Sequence, residues 1–159
     1  MRTPDTSDES EPLARDIMTS PAITVTTDTT IKDLVALFRE QRIGGAPVVD
    51  ADGDLVGIVT EGDLMSLDAD VQMPHYFELF DSIIYLGSQK KFKEHLRKAA
   101  AATVADLMTP APLSVAANDP ARKAASLMAR HGFDRVPVEE HGKVVGIISR
   151  HDIMKMLGL

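Results

Sequence analysis

Hydrophobic and polar positions recur in the same order at two places along this chain. Over residues 57–63 an apolar stretch, Gly-Ile-Val, runs directly into Thr-Glu-Gly-Asp, and residues 146–152 repeat the order as Gly-Ile-Ile-Ser-Arg-His-Asp. The aspartates that close the two stretches, Asp63 and Asp152, lie 89 positions apart. The pattern indicates two related halves on either side of an insert.

The first half, repeat one (residues 13–67), predicts the element order β-α-β-β-α. Short β-branched runs indicate strands, apolar residues spaced three and four apart indicate a helical face, and Asp/Gly-rich positions indicate a turn. The predicted elements are a strand at 23–25, a helix from the capping-box-like Thr30-x-x-Asp33 to Gly44-Gly45, strands at 46–49 and 55–59 around a turn at 50–54, and a helix from Thr60 through Leu67.

The second half, repeat two (residues 103–159), predicts the same order. Residues 107–109 match residues 17–19 at an offset of 90, and the offset falls to 89 from Gly142 onward because the second hairpin is one residue shorter. Asp119 is expected to cap the central helix, with Pro120 at the first helical position. A length change confined to a turn is what structural repetition predicts.

Two segments fall outside the repeats. Residues 1–12 carry one arginine and four acidic residues among Ser, Thr and Pro, a composition that predicts a disordered acidic tail. Residues 68–102 hold five of the seven aromatic residues and are predicted to form a helical insert, with Phe77, Phe80 and Ile84 on one helical face and Phe92 and Leu96 on another. The insert is interpreted as a solvated helix face that covers part of the core, with a dimer or partner surface as the functional alternative.

Composition and charge narrow the classes of function. The 159 residues are 44% hydrophobic, enough for a packed core, and their net charge of −7 disfavours nonspecific binding to nucleic acid or anionic membrane. The absence of cysteine excludes disulfides and thiolate metal sites. The acidic N-terminus lacks the apolar run of a secretory signal, and no apolar stretch is long enough to span a bilayer. We therefore expect a cytoplasmic protein.

These features together resemble a tandem pair of CBS domains. The resemblance rests on the Pro-Val strands at Pro47 and Pro137, the closing Gly-apolar-apolar-[Thr/Ser]-x-x-Asp of each repeat, and Met-Thr at each start, and it covers residues 14–67 and 103–157. It implies an α/β (α+β) fold in which two β-α-β-β-α repeats are related by a pseudo-twofold axis with two clefts between them. It also implies a homodimer and an adenosine-containing ligand: AMP, ADP, ATP or S-adenosylmethionine.

The resemblance places ribose at the strand-to-helix steps. Asp63 and Asp152 match the family's ribose-binding position, and Thr60 and Ser149 match its hydroxyl position. A carboxylate that accepts hydrogen bonds from both hydroxyls of a vicinal diol binds ribose efficiently. The alternative is structural, because Thr-x-x-Asp and Ser-x-x-Asp are also helix-capping patterns.

The resemblance also suggests phosphate contacts, and here the repeats differ. Repeat two offers Arg135, Arg150 and His151, whereas the matching positions of repeat one are Gly45, Glu61 and Gly62. Cations favour phosphate, so repeat two is expected to supply the phosphate contacts. The alternative for all three side chains is a solvated surface position.

Adenine needs a flat apolar slot edged by backbone hydrogen-bonding groups. Core packing is the alternative for these positions, above all for Val25 and Val136. The candidates are Thr24, Val25, Ile43, Ala46 and Pro47 in repeat one, and Ser114, Phe133, Val136 and Pro137 in repeat two.

Other chemistry finds little support in the sequence. Asp50-x-Asp-x-Asp with Glu61 resembles a calcium loop, but Leu55 stands where that loop requires glycine. The five histidines lack metal-ligand spacing, and no nucleophile motif or P-loop is present. The sequence predicts a noncatalytic regulatory module that senses an adenosine ligand and acts on an unidentified protein target. The alternative is an interaction module with degenerate clefts, and an enzyme acting on nucleotides is a third, weaker class.

Overall fold

The structure is a computed structural model that describes residues 10–70, 75–79, 82–86 and 102–159. Repeat one contributes α1 (Ala14–Ile17), β1 (Val25–Thr26), α2 (Ile31–Gln41), β2 (Gly45–Val49), β3 (Leu55–Thr60) and α3 (Glu61–Asp70). The insert contributes β4 (His75–Leu79) and β5 (Ser82–Leu86). Repeat two contributes α4 (Val104–Leu107), β6 (Thr109–Pro110), β7 (Val115–Ala116), α5 (Ala121–His131), β8 (Arg135–Glu140), β9 (Lys143–Ser149) and α6 (Arg150–Met156).

The predicted β-α-β-β-α order is confirmed in both repeats. In repeat one β1 pairs parallel with β2 and β2 pairs antiparallel with β3, and in repeat two β7, β8 and β9 pair in the same way. Each central helix buries one face against its own sheet, with Leu34 and Phe38 of α2 in one core and Ala124 and Met128 of α5 in the other. The 3.6-residue apolar spacing therefore predicted the buried faces of both helices correctly.

The compact units of the chain do not coincide with the sequence repeats. One unit, here the split unit, joins the N-terminal residues through Ile23 to Leu113–Leu159, and the other, the continuous unit, is Thr24–Pro112. Each repeat thus sends its leading segment to the sheet of the other repeat. The helical turn α1 was not predicted from the sequence, because four residues of helix carry too little periodicity to be recognised.

The leading segments dock through matching backbone hydrogen bonds. In the split unit Ala14 N donates to Asp119 O at 2.8 Å, and Thr19 and Ile147 exchange two backbone bonds at 2.9 and 3.1 Å. In the continuous unit Val104 N donates to Thr29 O at 2.8 Å, and β6 pairs with β3 through Thr109 and Ile58. Both leading segments therefore begin with a docked helical turn and then pair with the closing strand of the other repeat, through the isolated bridge of Thr19 in one case and through β6 in the other.

Glycine in the closing strand of each repeat allows this docking. A Cβ atom built at Gly57 would lie 2.5 Å from Met108 Sδ and 3.1 Å from Thr109 O, and one built at Gly146 would meet Met18 Sδ even more closely. Real Cβ atoms essentially never come within 3.0 Å of another atom, so each methionine sulfur occupies the space that a side chain would need. The Gly of one repeat and the Met-Thr of the other form one packing unit.

The helical prediction for the insert is wrong over the residues that the structure describes there. His75–Leu79 and Ser82–Leu86 are antiparallel strands in a two-stranded sheet. Tyr, Phe and Ile dominate both segments, and aromatic and β-branched residues favour strands. Their helical spacing was fortuitous. Phe80, Phe92 and Leu96 lie outside the described residues.

Several element ends differ from the sequence prediction, and two of the differences concern the central helices. Helix α2 ends at Gln41, three residues before Gly44, with Arg42 as a left-handed C-cap at φ 54° whose N–H donates to Phe38 O. Helix α5 begins at Ala121, so Pro120 is the N-cap rather than the first helical residue. Asp119 instead accepts hydrogen bonds from Lys123 Nζ and Ala116 N, and these bonds hold the pKa of its carboxyl below the ordinary value.

The end of the predicted disordered tail makes two contacts. Pro12 O accepts from Ala121 N at 2.8 Å, and Glu11 pairs with Arg122 at 2.9 Å on the surface. These contacts place the chain at the N-terminus of α5 immediately before α1 begins. Residues 1–9 lie outside the described ranges.

Candidate functional site

The strand-to-helix steps hold their aspartates by capping bonds. Thr60 closes β3, and Asp63 Oδ2 accepts from Thr60 N at 2.7 Å and from Thr60 Oγ1 at 3.2 Å. Ser149 closes β9, and Asp152 Oδ2 accepts from Ser149 N at 2.7 Å and from Ser149 Oγ at 2.8 Å. The structural alternative raised by the spacing is thus realised in both repeats.

Capping leaves half of each carboxylate available. Oδ1 of Asp63 and Oδ1 of Asp152 accept no hydrogen bond from any residue in the described part of the chain, and both side chains are half-buried. The capping bonds fix the carboxylate, and the second oxygen keeps its acceptor capacity for a donor from outside. The same aspartate can therefore cap a helix and read a hydroxyl.

Arg135 is the one candidate cation with a buried nitrogen in the described ranges. It begins β8 opposite Ser149, and its Nη1 is buried without a hydrogen-bond partner among the described residues. A buried guanidinium nitrogen without an acceptor is costly, because its desolvation is not compensated. An anion at this position would supply the missing acceptor.

The other two candidate cations lie on the surface. Arg150 pairs with Asp134 at 2.9 Å, and the side chains are 64% and 63% exposed, which makes this a weak pair. His151 is exposed in the first turn of α6. Their phosphate contacts stay predictions, and the Asp134 partner of Arg150 was not anticipated.

The adenine candidates divide into core and rim positions. Val25, Ala46 and Val136 have 6%, 0% and 0% of their surface exposed and belong to the hydrophobic cores, which favours the core-packing alternative for their side chains. Rim positions are more accessible: Thr24 is exposed, and Ile43, Ser114 and Phe133 are half-buried. Pro47 and Pro137 are fully buried in the central strands.

Two rim residues of repeat two have partners that sequence reasoning missed. Phe133 stacks on His131 with ring centroids 5.3 Å apart and planes 16° apart. Ser114 Oγ donates a short hydrogen bond to Glu139 Oε2. An alignment of the two repeats at the offset of 90 distinguishes both partners. Repeat one has Gln41 in place of His131 and Val49 in place of Glu139.

The acidic turn of repeat one is a hairpin, as predicted. Asp50 Oδ1 accepts from Asp52 N and Asp54 N, both at 2.9 Å. Carboxylate oxygens of Asp50, Asp52 and Asp54 come within 4.8 Å of one another. The side chain of Asp50 thus organises the turn itself.

No helix in the described ranges is both long enough and apolar enough to cross a bilayer.

Comparison with known proteins follows the repeat pattern. A family model described as CBS domain matches residues 14–70 and 104–159. Protein MJ1426 of Methanocaldococcus jannaschii is 32% identical over 153 residues, which cover 91% of this chain and 90% of that protein. The Arabidopsis thaliana CBS domain-containing protein CBSX1, chloroplastic, is 34% identical over 133 residues, which cover 80% of this chain and 55% of that protein.

Solved structures match over nearly the whole chain. The crystal structure of Arabidopsis CBSX2 in complex with AMP has a TM-score of 0.68 and 28% identity, and the match covers 91% of this chain and 95% of that chain. The CBS domain pair of protein MJ0100, in complex with 5′-methylthioadenosine and S-adenosyl-L-methionine, has a TM-score of 0.70 and covers 93% and 97% of the two chains. At 24% identity, this second likeness bears on the fold alone.

Proposed function

The chain belongs to the CBS domain family, and we propose that it is a noncatalytic regulatory module that binds an adenosine-containing ligand. The ribose is read by Asp63 in repeat one and by Asp152 in repeat two. The observation that carries the proposal is the fixed aspartate with one unused oxygen at each strand-to-helix step. The AMP complex of CBSX2 supports the ligand class.

The two repeats are proposed to differ in charge preference. Arg135 gives repeat two a buried nitrogen that lacks an acceptor, whereas Gly45 stands at the matching position of repeat one. AMP, ADP and ATP bring the anion that Arg135 lacks. S-adenosylmethionine has no phosphate, and it stays a candidate for repeat one.

Regulation by a ligand requires that the ligand bind one arrangement of the protein more tightly than another. A ligand shifts a protein between two arrangements only if it binds one of them more tightly. We propose that the bound nucleotide selects one arrangement, which a protein target then recognises. A module that only mediates assembly is the alternative, and it requires no affinity for adenosine ligands.

The ribose contact is tested with Asp63→Asn and Asp63→Ala. Asparagine retains an oxygen that can accept the capping bonds but replaces the second oxygen with an amide donor. We expect both variants to weaken AMP binding by about 1–3 kcal/mol, because ribose hydroxyls lose their acceptor. Only Asp63→Ala should also lower stability, by about 1 kcal/mol, through the lost cap. Isothermal titration calorimetry and a melting curve separate the two effects.

Asp106 provides the matched control for this test. Its Oδ2 accepts from Thr103 N at 2.9 Å and from Thr103 Oγ1 at 3.3 Å, which is the same capping geometry on a different helix. Asp106→Asn should leave AMP affinity unchanged. A wild-type protein that binds none of AMP, ATP and S-adenosylmethionine would overturn the proposal in favour of the assembly alternative.

The phosphate contact is tested with Arg135→Ala. We expect weaker binding of AMP and unchanged binding of adenosine, because the proposed contact is to phosphate alone. The same calorimetric titration with both ligands measures the difference, and Arg130→Ala on the exposed end of α5 is the control. Equal losses for adenosine and AMP would show that Arg135 does not contact phosphate.

A further inference from the structure

Each repeat places a methionine sulfur where the closing strand of the other repeat has glycine. Met18 Sδ fills the position of the missing Cβ at Gly146, and Met108 Sδ fills the position of the missing Cβ at Gly57. Each contact lies inside one compact unit, the first in the split unit and the second in the continuous unit. The same atoms therefore hold a leading segment on its strand at two places in the fold.

Both methionines lie at an intermediate depth. Met18 and Met108 are half-buried, whereas Met128 of α5 is 6% exposed and belongs to a hydrophobic core. The chain has eight methionines and no cysteine, so thioethers are its only sulfur groups. Peroxides oxidise accessible thioethers to sulfoxides, and methionine sulfoxide reductases reverse the change. A peroxide therefore has access to the two side chains that dock the leading segments.

The reaction transfers one oxygen atom to the sulfur. A lone pair of Sδ attacks one oxygen of hydrogen peroxide, the O–O bond breaks, and after proton transfer the products are a sulfoxide and water. The sulfur loses two electrons, and the peroxide accepts them. A polar, chiral group thus replaces an apolar one.

The surroundings of each sulfur are unfavourable for the added oxygen. Thr109 O lies 3.1 Å from the Cβ position at Gly57, and the corresponding oxygen at Gly146 is Thr19 O, at 3.0 Å. Thr19 O already accepts a hydrogen bond from Ile147 N. A sulfoxide oxygen is itself an acceptor, so at each position it would meet another acceptor. Burial of such a group without a donor is costly, because its desolvation is not compensated.

We propose that Met18 and Met108 are paired oxidation sites, at which a peroxide converts the thioether to a sulfoxide and thereby releases the leading segment from the closing strand of the other repeat. Release exposes the backbone groups of β9 and β3 that the two segments otherwise cover. The inference goes beyond ligand binding and does not depend on it.

Hydrogen exchange on peroxide-treated, full-length protein tests the proposal. Peptide mass spectrometry locates the sulfoxides, and exchange is followed at the docking amides, Thr19 N and Val104 N, each of which donates to a carbonyl of the other repeat. We expect the docking amides to exchange at least about tenfold faster after oxidation, because an unpaired acceptor destabilises the docked segment locally. Phe133 N, which donates to Met128 O at the end of α5, is the control amide and should keep its exchange rate.

Leucine variants separate these two sulfurs from general oxidation. The double variant Met18→Leu, Met108→Leu conserves side-chain volume and removes the sulfur, so peroxide should leave its docking amides protected. The control double variant Met65→Leu, Met154→Leu removes two exposed sulfurs and should respond to peroxide like the wild type. Melting curves before treatment verify that both double variants are folded.

Reduction of the sulfoxides completes the test. Methionine sulfoxide reductases for both epimers should restore slow exchange in the oxidised wild type, and exchange that stays fast after reduction would assign the change to other damage and overturn the proposal. Sulfoxides at Met18 and Met108 without faster exchange would refute the release. Unmodified Met18 and Met108 in a chain whose Met65 and Met154 are fully oxidised would refute the oxidation sites. None of these results bears on AMP binding, so the proposed function is tested separately.

Discussion

The two central helices end in the same backbone conformation at their C-caps but use different residues there. Both caps are left-handed: Arg42 has φ 54° and ψ 45°, and Gly132 has φ 69° and ψ 26°. A side chain makes this conformation costly, whereas glycine adopts it freely. At residue scale, repeat one therefore carries strain that repeat two avoids.

We expect Arg42→Gly to raise the free energy of unfolding by about 0.5–1 kcal/mol. Glycine relieves the strain of the left-handed conformation, and this gain is partly offset because glycine also gives the unfolded chain more conformational freedom. Gly132→Ala should lower it by about 1 kcal/mol, although a Cβ there meets no atom within 4 Å, because only the backbone conformation is penalised. Urea unfolding midpoints of the two variants measure both changes. A destabilised Arg42→Gly would mean that the arginine side chain contributes more than its conformation costs.

At the scale of elements, the fold depends on closing strands that accept a foreign segment. Gly57 in β3 faces Met108, and Gly146 in β9 faces Met18. Each contact joins residues that are far apart in sequence but adjacent within one compact unit. The Gly and Met positions should therefore be energetically coupled.

Gly57→Ala is expected to destabilise the chain by about 1–3 kcal/mol, because the new methyl group meets both Met108 Sδ and the backbone oxygen of Thr109. In a double-mutant cycle with Met108→Ala, we expect a coupling of at least about 0.5 kcal/mol, since the smaller side chain makes room. Denaturant unfolding supplies the four free energies. Gly62→Ala is the control, as its Cβ would meet only Thr60 Oγ1 at an ordinary 3.4 Å, and additive effects of Gly57→Ala and Met108→Ala would refute the packing argument.

The same elements show how far sequence alone reaches. Repetition and periodicity identified both β-α-β-β-α units and the CBS family, because those signals are local and occur twice. They could not reveal that Met18 packs on Gly146, since exchange of leading segments leaves each local pattern unchanged. The insert was misassigned because Phe77 and Ile84 satisfy helical spacing while their residue types favour strands.

For the candidate site, too, the sequence predicted some features and left others undetermined. The spacing of Thr60 and Asp63 identified a strand-to-helix step but left capping and ribose binding indistinguishable. The structure supplies the capping bonds and the unused oxygens, which depend on side-chain rotamers that no spacing encodes. Glu139, the hydrogen-bond partner of Ser114, was not predicted because a polar residue near the end of an alternating strand is ordinary.

At the scale of the whole molecule, exposed apolar side chains on the last helix of each repeat indicate self-association. Met65 of α3 is 71% exposed and Met154 of α6 is 49% exposed, whereas Leu64 and Ile153 beside them pack against their own cores. Leu64 and Ile153 therefore add little to the exposed apolar surface of these helices. Exposed apolar groups of this kind still favour an interface.

We expect a homodimer, as the resemblance to CBS pairs implied. Sedimentation at micromolar concentration should show a species of twice the 17.2 kDa chain mass. Met65→Lys and Met154→Lys should shift the distribution toward the single chain, because a charge would be buried in the interface. Val35→Lys, on the exposed side of α2, should not. A wild-type protein that sediments only as 17.2 kDa would contradict the prediction.

The packing of the N-terminal leading segment on repeat two also affects the order in which native contacts form during synthesis on the ribosome. Ser20 bonds to the carbonyl of Val145 across 125 residues of sequence, so the N-terminal segment emerges early and waits for its partner strand. The continuous unit, Thr24–Pro112, has all of its residues available before β8 and β9 are translated. Contacts between distant residues form late because chain closure must precede them. The first residues of the described chain to be translated are thus among the last to reach their native neighbours, and a premature stop before β9 removes the strand to which Thr19 and Ser20 bond.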